Sequence, residues 1–123
     1  MLEILPESTD RSIGFKASGK LTAEDYHELM PKVDETIKAH GSINMLAMIE
    51  DFHGWAELDA AKADFKFGTQ EYKNVERCAF VSDKRWHEWI VKLLDPFTRR
   101  TKEKFFEPSQ LAEAWEWVKE GEE

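Results

Sequence analysis

Ile43-Asn44-Met45-Leu46-Ala47-Met48-Ile49, followed by Glu50-Asp51-Phe52-His53-Gly54-Trp55, is the stretch whose reading decides the fold. The first seven residues are apolar almost without interruption. A strand with one solvated face would alternate, so a continuous run marks a strand covered on both faces, as in parallel sheets. The residues after it read as an acidic turn opening a helix. The same arrangement recurs downstream, where Cys78 to Val81 precedes Ser82-Asp83-Lys84-Arg85-Trp86. Apolar run, acidic turn and helix, twice over, predict parallel strands joined by crossover helices. In such sheets ligands bind beyond the carboxyl ends of the strands, which puts both turns on one candidate edge.

Working outward, Leu2 and Ile4 flank Glu3, and Ile13, Phe15 and Ala17 alternate with Gly14, Lys16 and Ser18. Residues 2–5 and 11–18 therefore read as two strands of an antiparallel hairpin at a sheet edge, joined through Pro6 to Asp10. Thr22 is placed to cap a helix with Glu24 and Asp25 in its first turn. Tyr26, Leu29, Met30, Val33 and Ile37 form its apolar stripe, and Gly41 closes it. Pro31 either lies within this helix or starts a second one. Helical spacing continues from Trp55 to Phe67 and from Trp86 to Phe97. Phe105-Phe106 reads as a last short strand, and a final helix from Pro108 turns Leu111, Ala114, Trp115 and Val118 inward. The predicted class is α/β, a mixed sheet with helices in the order β-β-α-β-α-β-α-β-α, in one domain over residues 1–123.

Bulk properties narrow the function. The net charge of −8 argues against nucleic acid as a partner. That charge is uneven. Residues 83–104 hold seven Lys/Arg against four Asp/Glu, close to +3, which leaves about −11 on the remainder. Such a basic segment faces either solvent or an anionic surface. Cys78 stands alone in an apolar run and reads as a buried hydrophobe. No stretch has the length of a membrane span, and the amino terminus does not look like a signal peptide. The expectation is a cytoplasmic protein, with peripheral contact to membrane as a further expectation.

Gly19 to Tyr26, Asp51-Phe52-His53-Gly54-Trp55, Ala79 to Trp86, and Phe106 with Ala114-Trp115 together resemble the SpoIIAA-like family, related to STAS domains. The resemblance spans nearly the whole chain with its motifs in order. It implies a STAS-like fold, binding of apolar or anionic ligands, and membrane association through mobile helices, with a distant similarity to lipid-carrying CRAL-TRIO domains. Better known relatives are anti-sigma factor antagonists, which carry a phosphorylatable serine in the turn after the equivalent of strand 43–49. Asp51 to Trp55 contains neither Ser nor Thr. The phosphorylation switch is therefore not carried over.

Glu50, Asp51 and His53 could be read as acid–base groups or metal ligands, and an enzyme would be built on Asp51, His53 and Asp83. A metal needs three or four convergent ligands, and His27, His40 and His87 share no spacing with His53. Capping is the competing role: Asp51 for a helix at Trp55, and Asp83 for a helix at Trp86. No nucleophile arrangement or phosphate loop is present, so neither catalysis nor a cofactor or metal is expected. Trp86, Trp89, Ile90, Leu93, Leu94 and Phe97 share a broad stripe flanked by Lys84, Arg85 and Lys92. The stripe is either core or the composition of a membrane-surface contact. Arg99 to Lys104 reads as a basic loop. The expected function is non-enzymatic binding of a small apolar, amphiphilic or anionic ligand. Asp51, His53, Trp55, Leu58, Phe65, Asp83, Trp86, Trp89, Leu93 and Phe97 are the candidate ligand contacts, and Lys84 and Arg85 would receive a negative headgroup. The alternative is a protein-interaction module of the antagonist type. An anionic membrane surface and a homodimer complete the expected partners.

Overall fold

The computed structural model describes residues 1–55, 74–83 and 102–122, with 51–55 described as backbone only. Among these residues five strands, β1 (Leu2–Ile4), β2 (Ser12–Leu21), β3 (Ile43–Trp55), β4 (Val75–Val81) and β5 (Lys102–Phe106), form one sheet in that order. β1 runs antiparallel to β2, and every other neighbouring pair is parallel. The expected edge hairpin and parallel block are both present. So is the expected adjacency of 43–49 and 78–81, with Met45 opposite Cys78 and Ala47 opposite Phe80.

Helix α1 (Ala23–His40) joins β2 to β3, and α2 (Leu111–Glu120) follows β5 through a 3-10 turn at Pro108–Gln110. α1 starts in a capping box. The Thr22 hydroxyl accepts from the Asp25 N–H, while the Asp25 carboxylate accepts from the Thr22 N–H at 2.9 Å. It runs without a break through Pro31, which settles that alternative, and stops at Gly41, whose φ of +80° is the left-handed cap.

α1 and α2 take opposite faces of the sheet. Leu29 and Val33 of α1 pack on Ile13, Met45, Ala47, Cys78 and Phe80. Ala114, Trp115 and Val118 of α2 pack on Leu46, Ala79, Val81 and Phe106. β3 is thus buried from Ile43 to Ala47 on both faces, which is why its run does not alternate. Val75 and Cys78 are three apart yet join the same cluster. Glu76 is an extra residue between the pairs Ile43–Val75 and Asn44–Arg77, and it restores the phase.

Several boundaries differ from expectation. β2 continues through Gly19 to Leu21, so this segment is strand rather than a lead-in to α1. β4 begins at Val75, before Cys78. β5 begins at Lys102, so the last three residues of the supposed basic loop at 99–104 are strand. Lys102 and Lys104 hide this because their side chains are exposed while the backbone pairs with Arg77 and Ala79. The largest correction concerns Asp51 to Trp55. These residues are not a turn but the end of β3, paired with Gly19, Lys20 and Leu21 of β2. Asp51 therefore does not cap a helix beginning at Trp55.

Candidate functional site

The carboxyl edge of the sheet is stepped. β3 pairs with β4 only as far as Met48 and Val81, whereas its pairing with β2 continues to Trp55 and Leu21. The seven residues Ile49 to Trp55 therefore run past the end of β4. At strand geometry this extension spans about 20 Å. Among the described residues, no strand pairs with it on its β4 side.

The extension carries two bulges. Between the pairs Ala17–Ile49 and Gly19–Phe52, β3 gains one residue over β2. Between Gly19–Phe52 and Lys20–Gly54 it gains another, and that residue is His53. Gly19 sits opposite the irregularity at φ +59°, a conformation strained for any residue with a Cβ. Bulges bend a strand, raise its twist and recur beside functional sites. Asp51 and His53, chosen from the sequence as turn residues, thus belong to a doubly bulged strand end.

On the other side of the step, β4 ends at Val81, and Ser82 donates its N–H to the Phe106 carbonyl at 3.1 Å. Ser82 is buried and Asp83 is exposed. Below them Phe80 and Phe105 stack with ring centroids 5.3 Å apart. The structure brings Asp51, His53 and Trp55 to one strand end and Asp83 to the end of the neighbouring one. Leu58, Phe65, Lys84, Arg85, Trp86, Trp89, Leu93 and Phe97, together with the helices expected over 55–67 and 86–97 beyond Trp55 itself, lie outside the described residues.

Asp25 borders this edge at the start of α1. Burial pushes its carboxyl up, but the Thr22 N–H and hydroxyl, the Met1 ammonium 3.6 Å away and the Leu2 N–H outweigh that and hold it below its ordinary value of 3.8. Its Oδ2 is engaged in the cap and faces the Met1 ammonium, so it is a structural carboxylate. Among the described residues, no group of three His, Cys, Asp or Glu side chains could hold a metal.

The opposite pole of the sheet carries a polar row. Ser12, Asn44 and Arg77 align across β2, β3 and β4. This row lies beneath the end of α2, where a Cβ on Gly121 would sit 3.0 Å from the Asn44 amide. Arg77 Nη1 donates to the Trp117 carbonyl at 2.7 Å, and its guanidinium lies 5.1 Å from the Trp117 ring centroid. Asn44 inside an apolar run was the available signal, since a buried amide needs a local reason.

The family model described as SpoIIAA-like matches residues 12–119. The chain belongs to the SpoIIAA-like family. The resemblance drawn from the motifs is thereby confirmed, and so is the mixed α/β fold. The SpoIIAA-like domain is also similar to a crystal structure from Shewanella loihica PV-4, described as a protein of the DUF3478 family with a SpoIIAA-like fold. The two share 31% identity with a TM-score of 0.73, over 95% of this chain and 93% of that one. No curated protein matches. Family membership fits a binding or protein-interaction module. Among the described residues, no helix is long and apolar enough to cross a membrane.

Proposed function

We propose that this SpoIIAA-like domain is a non-enzymatic binding module. It takes a small apolar or amphiphilic ligand at the carboxyl edge of its sheet and makes reversible contact with an anionic membrane surface. The observation that carries this reading is the step between the β3 extension and the end of β4. It lies at the carboxyl ends of the parallel strands, where α/β sheets bind ligands. The chain leaves both sides of the step into aromatic and basic sequence: Trp55 ends β3 with Leu58 and Phe65 beyond it, and Lys84, Arg85, Trp86, Trp89, Leu93 and Phe97 follow β4. In this reading the aromatic and aliphatic side chains line the ligand, Asp51, His53 and Asp83 contribute polar contacts at its rim, and Lys84 and Arg85 meet a negative headgroup.

Native mass spectrometry of the protein purified from its host tests the proposal. A retained small molecule appears as added mass, and binding to anionic vesicles shifts tryptophan emission to the blue. A bare polypeptide mass together with no vesicle binding overturns it.

The second reading is a protein-interaction module of the anti-sigma antagonist type that works without phosphorylation. Family membership favours it, and the hydroxyl-free strand end from Glu50 to Trp55 counts against a switch but not against a constitutive interface. A stoichiometric protein complex recovered from the host, with no small-molecule mass, selects this reading over the first.

A further inference from the structure

We draw no further inference here: the strongest candidate, the polar row of buried Ser12 and Asn44 with half-buried Arg77 beneath the carboxyl-terminal turn of α2, is part of the seam that docks this helix, and nothing among the described residues shows a space within it for a ligand.

Discussion

The six-membered ring of Trp115 rests on the backbone of Gly14: a Cβ at residue 14 would lie 2.4 Å from both Cη2 and Cζ2. The contact brings α2 down onto β2, in the sheet row that continues through Leu46 and Ala79. Real atoms do not approach that closely, so Gly14→Ala must displace the indole or the strand. The expected cost is about 1–3 kcal/mol, the usual range for overpacking. Urea unfolding reads it as a lower midpoint with unchanged slope. In a Trp115→Phe background the same alanine should cost less than in the wild type, because the ring that it strikes has been removed. Equal costs in the two backgrounds would show that the glycine is needed for another reason.

Arg77 should matter more to α2 than its ion pair suggests. The partner Glu120 is 3.5 Å away with a side chain 64% exposed, a geometry worth little in water. The hydrogen bond to the Trp117 carbonyl and the stacking on its ring are better sheltered. Arg77→Met should therefore lose roughly 1.5–3 kcal/mol, the range for a hydrogen bond to a charged group. Glu120→Gln should stay within about 0.5 kcal/mol. Denaturation of the two variants side by side checks the order, and equal losses would return the weight to the ion pair.

The capping box makes a pH prediction. The Asp25 carboxyl titrates lower in the folded protein than its ordinary 3.8, despite the opposing effect of burial. A carboxylate depressed by folding contributes stability in full above its unfolded value, and loses it as the pH falls through the folded value. Wild type should therefore lose stability below about pH 3.8 partly through this group. Asp25→Asn should be less stable than wild type at neutral pH and should converge toward it in acid. A constant gap between the two across that window would exclude the carboxylate as the cause.

The proposed membrane contact predicts a charge dependence. Near an anionic surface each basic residue contributes about 1 kcal/mol, so removing two should weaken vesicle affinity roughly thirty-fold. Lys84→Ala with Arg85→Ala is the test, using phosphatidylserine-containing vesicles. Added salt should weaken the wild type more than the variant. Binding that ignores both the charges and the salt would leave only the apolar stripe as its cause.

The strand end from Glu50 to Trp55 should remain unphosphorylated by serine kinases, because it contains no hydroxyl side chain. Phosphopeptide mapping of protein from its host checks this. A phosphoryl group on His53 would restore a switch by other chemistry.

Much of the architecture was legible in the chain. Continuous apolar runs at 43–49 and 78–81 reveal strands buried on both faces, because double burial removes alternation. Thr22 and Gly41 mark the ends of α1 because unpaired backbone groups at helix termini are satisfied locally. Strand ends were not legible. Glu50 to Trp55 looks like a turn because it is polar and contains Gly54, yet it continues β3. What holds it there is the backbone of Gly19 to Leu21, distant in sequence, and two inserted residues that no local pattern announces. Lys102 to Lys104 looks like a loop for the same reason, since a ladder binds backbone whatever side chains it carries. Side-chain pattern is read over neighbouring residues and so reports burial. Strand length and register depend on which backbones meet across the sheet, and for the candidate site only the tertiary structure decides that.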